Sequence, residues 1–256
     1  MNDQNLEARN HRLGFTGGDS RPQLFECSDE EEWVLKLMGN AQGTITLAAD
    51  WIGSALSLLI GVPTPESSII NVTADALRTA PSSVQEWAAP GPAFGSLFVT
   101  QNNSFAGAAA VTQCANVSDI GKMAVADTWL QVEDREKPDR AWNMLIDTSL
   151  DVPELRVIDY GLSLRDHLAP VGILLRDQPA ARLVCPDPLR PYLDWEAARQ
   201  AVNAMLSMPE QQIEDIVQSV PTAWNVDNEH RQATIEHLCG FRTMVAQLVE
   251  QEAAGS

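Results

Sequence analysis

The spacing of apolar positions changes character near residue 100. Before that point, short apolar runs alternate with turns rich in glycine and acids, the pattern of a small sheet. Leu24 to Cys27 and Trp33 to Met38 read as the arms of a hairpin, joined by the polar run Ser28-Asp29-Glu30-Glu31-Glu32. Ser68 to Val72 and Gly95 to Thr100 read as further strands. The Pro-, Ala- and Ser-rich stretch between them is expected to be mostly loop, with a short helix near Ser82 to Trp87. One helix is expected within this sheet region, from about Thr44 to Ile60. There Leu47, Trp51, Ala55, Leu58 and Leu59 recur at three- and four-residue spacing. Gly61 stops it, and Pro63 and Pro65 forbid its continuation.

Beyond Thr100 the helical period dominates. It predicts helices over Ile120 to Val132, Trp195 to Met205, Pro209 to Val217 and Asn228 to Glu252. A single hairpin, Met144 to Asp147 with Leu155 to Asp159, interrupts them. The expected architecture is therefore α+β and two-lobed. A flexible tail (residues 1–12) precedes a small β-rich N-lobe with one helix (13–100) and a larger, mainly helical C-lobe (101–256). The hinge falls near Phe98 to Gln101.

Charge narrows the function. The 256 residues carry 35 acids against 17 Lys and Arg, a formal net charge of −18, and the only lysines are Lys36, Lys122 and Lys137. Such a chain is ill suited to neutralising nucleic-acid phosphates or to lying on an anionic membrane. Cys27, Cys114, Cys185 and Cys239 form no C-x-x-C pair, so neither a zinc site nor a disulfide framework is expected. Met1 to His11 is polar, with no apolar signal region, and Asp50 interrupts the most apolar window, Leu47 to Val62. The expected compartment is the cytoplasm, and the sequons at Asn71, Asn102 and Asn116 read as chance.

Three places could carry chemistry. Lys36 stands in an otherwise apolar strand between two glycine-bearing loops, either as an edge lysine whose stem snorkels to water or as a cation for phosphates. Asp50 follows it by 14 positions, inside an apolar helix, and either pairs with Lys36 or lies on the solvated face. Asp134-Arg135 opens a polar loop that runs into a strand with Asn143 at the junction. That is a setting for a base and a metal ligand, or an ordinary charged surface loop. Asp159 closes the run Val157-Ile158-Asp159-Tyr160-Gly161. It is placed to hold a hard cation such as Mg²⁺ or simply to begin a turn. In chain order these pieces match what phosphoryl transfer requires: a cation and glycine loop for phosphates, Asn and Asp for the metal, a separate Asp for the attacking hydroxyl.

At this point the chain resembles the HipA-like kinases, specifically their compact single-domain group, over roughly Leu13 to Val249. Gly17-Gly18-Asp19-Ser20-Arg21-Pro22 resembles the family's phosphate loop, and Trp33 to Asn40 its ATP-lysine strand. Leu47-Ala48-Ala49-Asp50 resembles the segment ending in the helix acid, with Asp in place of Glu. Leu59 to Pro65, Phe94-Gly95-Ser96, Asp127-Thr128-Trp129, Val132 to Arg135 and Ile158-Asp159-Tyr160-Gly161 follow in family order. Val220-Pro221-Thr222-Ala223-Trp224 resembles a late I-P-x-x-W element. The resemblance implies a protein-kinase-like fold and ATP- and Mg²⁺-dependent phosphorylation of Ser or Thr. It assigns Asp134 as catalytic base, Lys36 as phosphate lysine with Asp50 as its partner, Asn143 and Asp159 as metal ligands, and Gly17, Gly18, Ser20 and Arg21 to the phosphate loop.

Departures keep alternatives open. Asp134 and Asn143 are nine residues apart, against about five in the kinase pattern. Asp139 therefore competes as base, and Asp50 is one methylene shorter than the family's Glu. A nucleotide- or protein-binding pseudokinase and an aminoglycoside-type phosphotransferase are the rival readings. Larger HipA proteins act as toxins with a DNA-binding antitoxin and carry an extra N-terminal subdomain. No residue here points to such a partner, and that subdomain is expected to be lacking.

Overall fold

The computed structural model of the chain describes residues 6–15, 19–99, 108–132, 134–135, 142–168 and 182–255. It opens with an antiparallel sheet of β1 (Ala8–Gly14), β2 (Gln23–Cys27), β3 (Glu32–Met38), β4 (Ser67–Val72) and β5 (Ala89–Leu97), in spatial order β1-β2-β3-β5-β4. Its two edges approach one another. Glu7 and Asn71 form a parallel bridge, and the Asn71 amide donates to the Leu6 carbonyl at 2.9 Å. The sheet is thus curled toward closure, and neither edge is left as a bare ladder.

Three expectations are corrected here. Residues 8–12, expected in a tail, lie in β1. The sequence Ala-Arg-Asn-His-Arg-Leu-Gly buries little, so it carries no period-2 signal. Backbone pairing with β2 holds it, with the His11 amide donating to the Thr79 hydroxyl at 2.8 Å. β5 starts at Ala89 rather than Gly95 and ends at Leu97. Pro90 and Pro92 hide it, but they fall where its pairing with β3 slips between Lys36 and Met38. A missing N–H is tolerated at such a bulge. The stretch read as loop also holds α2 (Ala74–Arg78), capped by the Thr73 hydroxyl, as well as the expected short helix, α3 (Ser82–Gln85). Of the expected hinge, Thr100 and Gln101 lie outside the described residues.

α1 (Ile45–Leu59) follows β3, as its period predicts, and every residue from Thr46 to Ser57 is buried. A helix covered on all faces belongs to the interior. Only its last turn emerges, so Leu58 and Leu59, read from the sequence as part of its apolar face, are 47% and 40% exposed. The C-terminal half contains α4 (Ala108–Val111), α5 (Ile120–Trp129), the hairpin β6 (Met144–Asp147) and β7 (Glu154–Val157), and α6 (Arg165–Leu168). α7 (Trp195–Ser207), α8 (Glu210–Gln218) and α9 (Asn228–Ala254) complete it. α7 and α9 are N-capped by Asp194 and Asp227.

Two apolar cores result. The smaller one unites the sheet with α2 and α3 around Phe25, Trp33 and Leu37. The larger one runs through α5, α7, α8 and α9 and includes α1, with Leu47, Ile52 and Leu56 packed into the same cluster as Trp129 and Val245. Among the described residues no helix is long and apolar enough to cross a membrane.

Candidate active site

Lys36 sits on the sheet's central strand, β3, opposite Phe94 of β5, and is 8% exposed. Its ammonium donates to Asp50 Oδ2 at 2.7 Å and to Asp159 Oδ1 at 2.6 Å. Strand, helix and the segment after β7 therefore meet at one nitrogen. Neither snorkelling for Lys36 nor a solvated face for Asp50 describes this arrangement: the Asp50 side chain is 0% exposed. Asp50 Oδ1 also accepts the Tyr160 amide at 2.9 Å. Asp159 stands just beyond β7 with φ +62°, and its side chain remains 32% exposed, the cluster's opening to solvent.

Two glycines make the convergence possible. A Cβ on Gly53, one turn after Asp50, would fall 2.5 Å from the Tyr160 Cβ. A Cβ on Gly161 would fall 3.0 Å from Asp50 Oδ2 and 3.4 Å from the Lys36 ammonium nitrogen. Helix and strand end approach this closely because both positions are bare.

Burial alone would lower the pKa of Lys36, but Asp159 and Asp50 outweigh it and hold the ammonium more firmly protonated than usual. The acids respond in opposite directions. Burial pushes Asp50 up to about 7 despite the attraction of Lys36. For Asp159 burial acts the same way, yet Lys36, Arg135 and the Gly161 amide overcome it and leave its carboxyl below the usual range.

The Asp134 loop docks beside this cluster. Asp134 is 2% exposed, and Asn143 Nδ2 donates to its Oδ2 at 3.1 Å, closing the nine-residue separation. Its other oxygen, Oδ1, is buried without a hydrogen-bond partner among the described residues. Arg135 organises the surroundings. Nε and Nη2 bind the Asp127 carboxylate of α5 at 2.8 and 3.1 Å, while Nη1 reaches the carbonyls of Trp142, Asn143 and Ile158 at 3.0, 2.9 and 2.9 Å. Its guanidinium also lies 5.3 Å from the Tyr160 ring centroid. One side chain thus fixes the backbone on both sides of Asn143 and directly before Asp159. Trp142 and Asn143 both take positive φ, +55° and +52°, a backbone that Asn adopts readily but that is costly for Trp, and the Arg135 bonds to both carbonyls hold it.

The expected phosphate loop joins β1 to β2 and is closed by the Phe15 amide donating to the Pro22 carbonyl at 3.0 Å. Extending the Gln23–Leu35 register places Pro22 abreast of Lys36. Ser20 is buried, and the exposed Arg21 lies 5.9 Å over the Trp87 ring. Gly17, Gly18 and Asp139 lie outside the described residues. The sequence reading did not single out Arg135, Tyr160 or Gly53. Asp127, Arg135 and Tyr160 entered only as motif letters, and the one signal available was the Asp134-Arg135 pair itself.

Among the described residues no group of three or more His, Cys, Asp or Glu could hold a metal by itself. One carboxylate and one amide oxygen, the donors that Asp159 and Asn143 carry, would suit a hard cation that takes its remaining ligands from phosphates and water. A cavity of about 570 Å³ lies elsewhere, at the α8–α9 joint, lined by Gln218, Thr222, Asn225 and Arg231 but by none of these acids.

A family model described as HipA-like kinase matches residues 13–252, nearly the whole chain. The chain belongs to the HipA-like kinase family. It is a phosphotransferase, a kinase. Similar solved folds agree on the architecture. The Helicobacter pylori proinflammatory kinase CtkA superposes with a TM-score of 0.57 at 10% identity, covering 96% of each chain. The Golgi casein kinase with Mn/ADP bound gives 0.54 at 10% identity over 96% of this kinase and 74% of that chain. Hydra Fam20 with sugar gives 0.52 at 11% identity over 96% and 86%. A comparison with curated protein sequences finds no match.

Proposed function

We propose that this kinase transfers the terminal phosphoryl group of ATP, bound with Mg²⁺, to a Ser or Thr hydroxyl of a protein. The observation that carries the reading is the meeting of Lys36 with Asp50 and Asp159 at 2.7 and 2.6 Å. A lysine so fixed presents a positioned cation to phosphate oxygens, and its acid partners keep it charged. The similarity to a kinase fold holding Mn/ADP supports nucleotide and divalent-metal use.

When bound, magnesium would neutralise charge on the nucleotide's phosphates. Asp159 and the amide oxygen of Asn143 are the atoms that would hold it. Asn143 Nδ2, engaged with Asp134 Oδ2, keeps that carboxylate oriented and leaves Oδ1 to receive the substrate's hydroxyl proton. A buried acceptor with nothing to accept carries a desolvation cost of about 1–3 kcal/mol, which an incoming O–H donor would relieve. This is the feature that favours an active enzyme over a pseudokinase. Arg135 aligns the base and the metal ligands through the backbone. The similarity to a casein kinase supports a protein substrate.

The test is transfer of radiolabelled phosphate from ATP in Mg²⁺ to the protein itself or to a lysate. Lys36→Ala and Asp159→Asn should each abolish it while circular dichroism and the melting temperature report a folded chain. Full transfer by either folded variant refutes the assignment.

A further inference from the structure

The Val220-Pro221-Thr222-Ala223-Trp224 element has no role in the chemistry above, yet it reaches from the C-terminal half to the helix that carries Asp50 and to the strand paired with that of Lys36. The Trp224 carbonyl accepts the Thr44 hydroxyl at 2.8 Å, and the Trp224 indole donates to the Pro92 carbonyl at 2.9 Å. Thr44 is the residue that begins α1, the helix of Asp50. Pro92 lies on β5, two residues before Phe94, the cross-strand partner of Lys36. A third tie comes from the same segment: the Trp51 indole donates to the Ser219 hydroxyl at 2.9 Å.

Thr44 makes no side-chain capping bond to its own helix. A Thr in that position ordinarily accepts one, worth about 1 kcal/mol. Here its hydroxyl donates outward to the C-terminal half instead. Trp51 is the immediate neighbour of Asp50, and successive helical residues point about 100° apart. Anchoring Trp51 therefore sets the rotation at which Asp50 faces Lys36, while anchoring Thr44 sets the axial position of the helix.

The segment is itself fixed by Arg231 of α9. This guanidinium is 4% exposed, and its donors go to four backbone carbonyls: Val226 at 3.0 Å, Val217 at 3.0 Å, Gln218 at 3.1 Å and Val220 at 2.8 Å. They bind the end of α8 and both flanks of the Trp224 turn, which Asn225 closes in the left-handed region at φ +59°. The packing agrees with the polar ties, because α1 lies in the same apolar cluster as Trp224, Val220 and the helices α5, α8 and α9, with Phe94 of the sheet at its border.

We infer that the segment Ser219–Trp224, fixed by Arg231, is a clamp that holds α1 so that Asp50 stays against Lys36, assembling the pair without an activating partner or modification. Ser219, Trp224 and Arg231 are positioning residues, since none of them touches the Lys36 cluster. The inference rests on the kinase reading for its consequence, but its structural content can be measured without any turnover.

Thr44→Val with Ser219→Ala removes two of the three ties with little change of volume. Hydrogen exchange of the whole chain should then show α1 amides from Leu47 to Ser54 opening about tenfold or more faster, with α5 amides unchanged. In phosphate transfer, kcat should fall about tenfold with KM for Mg-ATP nearly constant, and Ser219→Thr, which keeps the hydroxyl, should retain the original rate. Exchange in α1 that stays at the original rate, or that accelerates equally in α5, overturns the clamp. If the double variant does not fold, Ser219→Ala alone is read by the same two measures. A chain with no transfer activity at all would sink the proposed function and leave the exchange result to decide the clamp.

Discussion

Arg135 and Asp127 are each 0% exposed and meet through two parallel bonds, whereas Lys36 divides one ammonium between Asp50 and an Asp159 that is 32% exposed. Both are buried cations with acidic partners, but the first cluster is closed and the second can exchange partners. Arg135 also serves three carbonyls, so nothing at that site is left to recruit. Lys36 faces an acid that water can reach. A closed network suits a positioning role, and a shared cation at an opening suits contact with phosphates.

The largest expected effect breaks the closed cluster. Arg135→Met leaves Asp127 buried without a partner and should cost about 3–5 kcal/mol, read as a lowered urea midpoint. Lys36→Met should cost less stability, because Asp50 can take up a proton and Asp159 can turn to water, while phosphate transfer is lost. Equal destabilisation by the two variants would erase the distinction between the clusters. Next in size is Gly53→Ala. Its Cβ, 2.5 Å from the Tyr160 Cβ, must push α1 away from the strand end. The cost should be about 1–3 kcal/mol in urea unfolding, with kcat lowered alongside.

The smallest effect sharpens the comparison through pH. Asp50 is raised from 3.8 to about 7 in the folded chain, so its contribution to stability is fully present below about pH 4 and is lost as pH rises through about 7. Activity should run the opposite way, rising toward and above pH 7 as Asp50 becomes the charged partner of Lys36. Asp50→Asn should flatten the fall in urea midpoint between about pH 4 and 7. A fall of unchanged steepness would assign it to another group.

Much of this was legible in the chain, and the gaps have physical causes. The period of Leu47, Trp51 and Ala55 marks α1 because one helix fills a largely apolar interior. Lys36 stands out because few lysines sit in apolar strands. β1 was invisible because its ties are backbone pairing, a Thr79 bond and polar contacts of His11 with Gln23 and Arg12 with Glu26, which leave no period of apolar letters. β5 was masked by prolines whose bulge could not be read in advance. The placement of Arg135 depends on carbonyls of residues up to 23 positions away, and carbonyls have no letter in a sequence. The burial of Asp50 was likewise ambiguous, since an acid in an apolar helix reads the same whether it faces water or a distant ammonium.

The sharing of one oily interior by α1 and the carboxyl-terminal helices has a practical consequence. The two halves of this enzyme are not interchangeable building blocks. A fragment ending after Leu97 would carry Leu47, Ile52 and Leu56 without the helices that complete their cluster, and its complement would be left with a trough where that rod had lain. Swapping the sheet-bearing halves between relatives would therefore require transplanting the trough along with the sheet.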